Sequence, residues 1–360
     1  MNIKLFSKAC LALTILLSFA ACEKDVNPTP TLPQGKYSKG VFIVNEGNFT
    51  HGNASVSYYN RDSMKVTNDL FYTVNNRPLG DVGQSMAEHN GKYYIVVNNS
   101  SKVEIVDKND FTSLGTITGL AQPRYFLGID STKAYVSQWG ANGLDGSLAI
   151  INLKTKGIVN TIPTGAGAEK MILLGNYVYV TNSGGYGNDS TITVVNPLTD
   201  QFVTKIKVGF NPGAIVADKN NNLWVLCGGK WKSDYSGLEK PGRLVKINTS
   251  NNQVELTLNF ASMTGGYDRK SLSINNAKNL IYYTLDGNLY EQNITSSTLS
   301  TLPKISKEFY NAVVDPSTGM FYGTDIRNGT TNGWIIRYSS AFAKVDSFQV
   351  SIYPDELFFN

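Results

Sequence analysis

The 360-residue sequence predicts an all-β protein, a seven-bladed β-propeller, and three observations carry that prediction. Composition is the first. Charged residues are sparse at 17%, while Gly (33) and Tyr (20) are abundant, as pleated strands joined by tight turns require. Periodicity is the second. A short β-run led by an aromatic residue recurs at Phe42 (FIVNE), Tyr94 (YIVVN), Tyr135 (YVSQW), Tyr179 (YVTNS), Trp224 (WVLCG), Tyr282 (YYTLD) and Tyr322 (YGTDI). The intervals are 52, 41, 44, 45, 58 and 40 residues, and a repeat of about 40–45 residues with strand-like content marks a four-stranded blade. The third observation concerns the two ends. The first unit begins at Val41 with no inner strand before it, and the chain ends on Tyr353–Phe359 (YPDELFF), which can supply one. The C-terminal strand is therefore expected to pair into the first blade, closing the ring and removing exposed sheet edges.

The elements follow in order. Residues 1–21 read as a signal peptide: Lys4 and Lys8, an apolar run from Ala9 to Phe19, then Ser18-Phe19-Ala20-Ala21 before Cys22. A cysteine directly after small residues resembles the bacterial lipobox, which makes Cys22 the lipidated first residue. Glu23-Lys24-Asp25 resembles the acidic signal that exports lipoproteins of Bacteroidota to the cell surface. Residues 22–39, rich in Pro and Thr, read as a lipid-anchored flexible tether, and residues 40–360 as the propeller. Elsewhere no segment is long and apolar enough to span a bilayer, so the lipid is the expected membrane contact. Cys10 leaves with the signal and Cys22 takes lipid. Cys227 is then alone, and the domain forms no internal disulfide.

Each blade repeats one grammar. An inner strand of small and apolar residues comes first, as in Pro212-Gly213-Ala214-Ile215-Val216, then a polar turn such as Asp218–Asn222 and the aromatic-led second strand. An alternating third strand follows, as in Thr191–Asn196, and a fourth such as Gly157–Ile162. The leading aromatics Tyr135, Tyr179 and Trp224 are expected in the packing between blades, and Cys227 as a small buried apolar group. Trp334, in an alternating run, is likewise expected to be structural. An eighth blade would need strands hidden in the long fifth unit.

Tyr179-Val180-Thr181-Asn182 spells YVTN. The unit from Tyr179 to Val225 resembles the YVTN repeat of surface-layer and YncE-like β-propellers, and the resemblance extends in weaker form over residues 40–360. With the N-terminal signals, the chain resembles the YncE-like surface lipoproteins of Bacteroidota, the BtuG-like cobalamin-binding group. That resemblance implies vitamin B12 (cobalamin) as a transported ligand rather than a cofactor, and a TonB-dependent outer-membrane transporter as partner.

A propeller gathers on one face the loops entering its inner strands and the loops joining second to third strands. The second set is long here: Glu46–Asn53, Gln138–Gly146, Asn182–Ser190, Asp325–Gly333, and above all Cys227–Gly242 (CGGKWKSDYSGLEKPG), whose Gly228, Gly229 and Gly242 are expected as hinges. Their large side chains Phe49, Trp139, Tyr186, Trp231 and Tyr235, with Arg124, Tyr125, Tyr267, Arg269 and Tyr310 from the entries to the inner strands, form the expected ligand-binding set. Arg77 and Tyr353 are expected on the same face. Aromatics on loops above a rigid scaffold offer contact area at low entropic cost.

Catalytic material is thin. Two histidines, His51 and His89, leave little for a histidine metal site or a Ser-His-Asp triad, and no enzyme activity is expected. Asp218-x-Asn220-x-Asn222 imitates the start of a calcium loop but lacks the Gly and Glu that complete one, so a blade turn explains it. Arg124, Lys170, Arg269 and Lys270, beside Glu169, Asp355 and Glu356, suggest a cation-rich ring that repels a bare divalent ion and suits a polar ligand with an anionic group. Heme, a glycan or an adhesion partner would suit the same face, and a metal-dependent propeller lyase or lactonase is the enzymatic alternative. A formal charge of +4, lowered by two when Lys4 and Lys8 are removed, does not indicate nucleic acid as partner.

Overall fold

The computed structural model describes residues 35–234, 236–261 and 270–360. The signal peptide, Cys22, the tether up to residue 34, Tyr235, Tyr267 and Arg269 lie outside the described residues. The described chain is a ring of seven antiparallel blades.

Blade 1 contains β1 (Gly40–Asn45), β2 (Ser55–Asn60) and β3 (Lys65–Thr67), and a short helix α1 (Leu70–Asn75) follows it. Blade 2 is β4 (Gly83–His89), β5 (Lys92–Val97), β6 (Lys102–Asp107) and β7 (Ser113–Thr118). Blade 3 is β8 (Pro123–Gly128), β9 (Lys133–Gln138), β10 (Ser147–Asn152) and β11 (Gly157–Pro163). Blade 4 is β12 (Ala168–Leu174), β13 (Tyr177–Asn182), β14 (Thr191–Asn196) and β15 (Gln201–Lys207). Blade 5 is β16 (Pro212–Ala217), β17 (Leu223–Cys227), β20 (Arg243–Asn248) and β21 (Gln253–Asn259), with a small hairpin of β18 (Lys230–Trp231) and β19 (Leu238–Lys240) inserted. Blade 6 has β22 (Leu272–Ile274), β23 (Leu280–Leu285) and β24 (Asn288–Asn293). Blade 7 is β25 (Asn311–Val314), β26 (Phe321–Asp325), β27 (Asn332–Tyr338) and β28 (Lys344–Ile352), and β29 (Pro354–Phe359) ends the chain.

The closure is the one expected. β29 pairs antiparallel with β1, with Phe42 opposite Phe358 and Ile43 opposite Leu357, and becomes the inner strand of blade 1. The ordered body starts earlier than the composition suggested. Tyr37 is 4% exposed and packs edge-on against Tyr58 and Phe111, because its ring fills the gap between blades 1 and 2. Blade 6 departs from four strands: beyond β24 its outer edge is a single bridge, Leu289 to Ile305. The helix α1, buried through Leu70 and Phe71, was not legible and occupies part of the long first interval.

All seven leading aromatics lie on the second strand of their blade, and none is more than 5% exposed. The last residue of YVTN braces the blade rather than binding a ligand. The Asn182 amide donates to the Thr191 and Thr193 hydroxyls of β14, both at 2.9 Å. Asn45 does the same to Ser57 in blade 1 (3.0 Å), and Gln138 to Ser147 in blade 3 (3.0 Å). On the opposite face the calcium-loop imitation is a turn. The Asp218 carboxylate accepts from the Asn220 and Asn222 amides and from the Trp224 indole at 3.0 Å. Cys227 is buried and unpaired in a disulfide, and burial pushes its thiol up to about 12.

Candidate functional site on the loop face

The loops leaving the second strands and the segments entering the inner strands meet at one face through a repeated bond. Glu46, Asn98, Trp139, Ser183 and Gly228 each donate a main-chain N–H to the carbonyl of Tyr353, Val82, Gln122, Gly167 and Asn211, at 2.7–3.2 Å. Those five acceptors all lie in the left-handed region, with φ between 56° and 66°. Gly167 and Asn211 suit that conformation, whereas Val82, Gln122 and Tyr353 are held there at a cost.

Immediately after this collar the register of the inner strands slips. The slips fall between Gly83 and Ser85, Pro123 and Phe126, Ala168 and Met171, and Pro212 and Ala214, and opposite Val44/Asn45 in β29. Bulges re-aim side chains. Here they fall at Gln84, at Arg124 and Tyr125, at Glu169 and Lys170, at Gly213 and at Asp355, and of these Arg124, Tyr125, Glu169, Lys170 and Asp355 face one another at the mouth of the ring. Period-2 reasoning cannot see such a slip, and it explains why Arg124 and Tyr125, adjacent in sequence, both belong to the rim.

Among the described residues the rim is paired. Arg124 forks onto Glu169 (2.8 and 2.9 Å) and lies 4.3 Å over the Trp139 ring. Lys170 is 3.6 Å from Glu356 and 5.4 Å from the Tyr125 ring centroid. Lys270 is 3.0 Å from Asp355, 3.7 Å from Glu46 and 3.4 Å from the Tyr310 ring centroid. Three described cations thus face four described carboxylates, since Glu46, absent from the sequence reading of the rim, joins it through the Tyr310 hydroxyl at 3.0 Å. The described residues therefore show no excess of positive charge, and Arg269, the fourth cation expected in this ring, lies outside them.

Burial raises the Glu46 carboxyl to about 7, against the pull of Lys270 and with the push of Asp355. Asp355 stays below its ordinary value: burial opposes its charge, but Lys270 and a hydrogen bond from Glu46 outweigh it. Burial raises Glu356 despite Lys170, and burial also raises the Tyr125 and Tyr310 phenols. Burial works against the Arg124 charge, and Glu169 more than restores it. The described residues contain no group of three or more His, Cys, Asp or Glu side chains able to hold a metal ion.

Above the rim, blades 3 and 4 build a wall. Tyr186 is 66% exposed, yet fixed: its amide donates to the Gly143 carbonyl at 3.1 Å, its hydroxyl to the Gln122 side chain at 3.0 Å, and its ring stands edge-on to Trp139 at 5.6 Å. The platform beneath is backbone on backbone. A Cβ on Gly167 would lie 2.0 Å from the Gly185 nitrogen, and one on Gly185 1.9 Å from the Gly143 oxygen. Phe49, also 66% exposed, rides a loop tied to both neighbours: Asn48 donates to the Gly329 carbonyl at 2.6 Å, and the Thr50 amide to Asp81 at 2.9 Å.

The long excursion of blade 5 is the hairpin β18–β19, with Trp231 opposite Leu238 and half-buried. Asn211 pins its base by donating to the Gly229 carbonyl at 2.8 Å. Two of the three expected hinge glycines, Gly229 and Gly242, are close-approach points. A Cβ on Gly229 would meet the Lys240 carbonyl at 2.5 Å, and one on Gly242 the Cys227 carbonyl at 2.7 Å. Arg77 is not a face residue. It forks onto the buried Glu104 at 2.9 and 2.8 Å and reaches Ser113 at 2.9 Å, within blade 2. Trp334 is half-buried beside Arg327, on β27.

Fold and face together define a seven-bladed propeller with a charged, aromatic-rimmed channel mouth beneath a rigid wall of loops. Residues 39–360 match the model of one family, and the chain belongs to it: DUF5074, a domain of unknown function. No curated protein matches the chain. Among solved structures it is similar to a quinonprotein alcohol dehydrogenase-like protein from Bacteroides thetaiotaomicron, at 17% identity and a TM-score of 0.69, covering 90% of this chain and 78% of that one. It is also similar to a putative 6-phosphogluconolactonase from Bacteroides fragilis, at 12% identity and a TM-score of 0.61, covering 91% and 99%. Hydrazine synthase of Kuenenia stuttgartiensis is similar at 13% identity and a TM-score of 0.62, covering 81% and 90%. At these identities the likeness is one of fold.

Proposed function

We propose that the protein binds rather than catalyses, capturing a small-molecule nutrient on its loop face, with cobalamin the first candidate. In this reading it is a surface lipoprotein anchored through Cys22, and it hands the ligand to a TonB-dependent outer-membrane transporter. The observation that carries the reading is the Trp139–Tyr186 wall. Two large aromatics, one of them 66% exposed, are held in place by glycine contacts and hydrogen bonds before any ligand arrives. Preorganised aromatic surface on a rigid scaffold is how a binding face gains affinity without an ordering cost. Cobalamin has a broad ring edged with amides and carries one phosphate. Tyr186 and Phe49 offer apolar contact, Gln122 and the loop main chain offer amide partners, and the exposed Lys232 on the blade 5 hairpin can offset the phosphate.

Calorimetry with cyanocobalamin tests the proposal. Stoichiometric binding with recovery of unchanged ligand supports it, and absence of heat at micromolar protein overturns it. Protease accessibility of the protein on intact cells, compared with a Cys22→Ala variant, tests the anchor separately.

A further inference from the structure

The channel mouth is built from three repeats of one unit, a cation held by one carboxylate and one aromatic ring: Arg124 with Glu169 and Trp139, Lys170 with Glu356 and Tyr125, Lys270 with Asp355 and Tyr310. Glu46 is the odd carboxylate. Its nearest described cation, Lys270, lies closer to Asp355 than to it (3.0 against 3.7 Å). Its side chain is 21% exposed, so ligand can reach it, and Tyr310 and Tyr353 stand edge-to-face beside it at 5.0 Å.

We propose that the mouth is the subsite for a nitrogen-donor end of the ligand, an ammonium or a primary carboxamide, with Glu46 as its acceptor, and that any anionic end points away from it. The inference rests on the reading that the loop face binds a small molecule. Three observations support it. The charge count favours a donor, because each described cation at the rim already has its own carboxylate. Among the described residues an incoming anion must pull one of those cations away, whereas a donor completes the Glu46 shell. The Tyr353 ring, which holds no cation among the described residues, favours it too, since a ring face attracts a cation. The chain's own Lys270 ammonium, 3.4 Å from the Tyr310 ring centroid and 3.0 Å from Asp355, shows that this chemistry fits the cage.

A proton must move when the subsite fills. Glu46 is faced by Lys270 ahead of β22, by Tyr310 ahead of β25, and by Tyr353 and Asp355 at the start of β29, with Arg124 acting from further off. In that company it keeps a proton near neutrality, shared with Asp355. A donor that takes its place against the carboxylate expels the proton, so affinity rises with pH across the Glu46 titration.

The test uses two small probes on the whole propeller, putrescine and inorganic phosphate, at pH 6, 7 and 8. The Tyr310 and Tyr353 ring resonances are followed in the wild type, Glu46→Gln and Glu46→Asp. Putrescine is expected to shift those resonances, with affinity tightening roughly tenfold from pH 6 to 8, and phosphate to leave them unmoved. E46Q loses the pH dependence and about tenfold in affinity, while E46D retains the dependence. Phosphate binding at these rings, a flat pH profile in the wild type, or an unaffected E46Q overturns the proposal. Cyanocobalamin is titrated in parallel. Its failure to bind beside a positive putrescine result defeats the functional reading alone, and its binding beside a negative putrescine result defeats this inference alone.

Discussion

The Arg61 guanidinium donates to the main-chain carbonyl of Asn360, the last residue of the chain, at 2.9 Å, and its other nitrogen reaches the fully buried Asp315 carboxylate at 2.7 Å. One side chain from the end of β2 therefore clips the closing strand and blade 7 to blade 1. The clip supplements the β29–β1 ladder and a bond from the Asn360 side chain to the Tyr37 carbonyl at 2.6 Å. Arg61→Ala leaves Asp315 buried without its cation, although Ser317 and Thr318 still donate to it. The expected loss is about 2–4 kcal/mol, read as a lower urea midpoint. A midpoint unchanged within error would show that the ladder alone secures the ring.

Val82 occupies the collar position with φ 59°, a conformation in which a β-branched residue is strained. Gly167 fills the equivalent place in blade 4 with φ 66° and no such penalty. Val82→Gly is therefore expected to stabilise the protein by about 1 kcal/mol, net of the lost half-buried side chain. The converse change, Gly167→Ala, drives a Cβ to within 2.0 Å of the Gly185 nitrogen and is expected to cost about 1–3 kcal/mol. It should also displace the Tyr186 loop. Paired melting curves check the two signs, and a stabilised G167A would refute the platform described for blades 3 and 4.

The ring was legible because its signal is periodic. An aromatic every 40–58 residues records a buried position that recurs in every blade, and the C-terminal run Tyr353–Phe359 can supply the inner strand that the first unit lacks. The mouth was legible only in part. Arg124, Tyr125 and Tyr310, and the ring of Lys170, Lys270, Glu169, Asp355 and Glu356, could be placed on the right face by topology, but nothing in residue order announces the bulges at Arg124, Glu169 and Asp355 or the pairing they produce. Glu46 looked like the first residue of a loop, and its partners are 224, 264 and 309 positions away in sequence, at Lys270, Tyr310 and Asp355. Arg77 failed for the opposite reason: its loop enters β4 as expected, but its nearest buried carboxylate, Glu104, lies within its own blade. A signal that could have exposed the collar is the left-handed residue before each inner strand. Only Gly167 and Asn211 among them, however, are residue types that suggest that conformation.

The wall residues separate binding from folding. Tyr186 is largely exposed and Trp139 lies beyond β9, so Tyr186→Ala is expected to change the melting temperature by less than about 2 °C while weakening cyanocobalamin binding tenfold or more. Trp139→Ala removes the ring beneath Arg124 as well, and is expected to weaken binding at least as much with a larger stability cost. Calorimetry and thermal unfolding of the same preparations check both statements. Full affinity in Y186A would place the ligand elsewhere on the face.

Glu46 sets a pH dependence of stability with a definite sign. Its folded-state carboxyl is raised from 4.5 to about 7, chiefly by burial, so the native state holds this proton more tightly than the unfolded chain does. The contribution is fully present below pH 4.5 and is lost as pH rises through about 7, leaving a penalty above it. Asp355 runs the other way. Its carboxyl is lowered, so its contribution is present above the ordinary carboxylate range and disappears only in acid, and it does not mask the Glu46 effect near neutrality. Glu46→Gln is isosteric and cannot ionise. It is therefore expected to be more stable than the wild type at pH 8, by on the order of 1–3 kcal/mol, with the difference shrinking toward pH 5. Denaturant titrations of both proteins at pH 5, 6, 7 and 8 measure this directly. A wild type that gains stability relative to E46Q as pH rises would mean that Lys270, rather than burial, governs the Glu46 carboxyl.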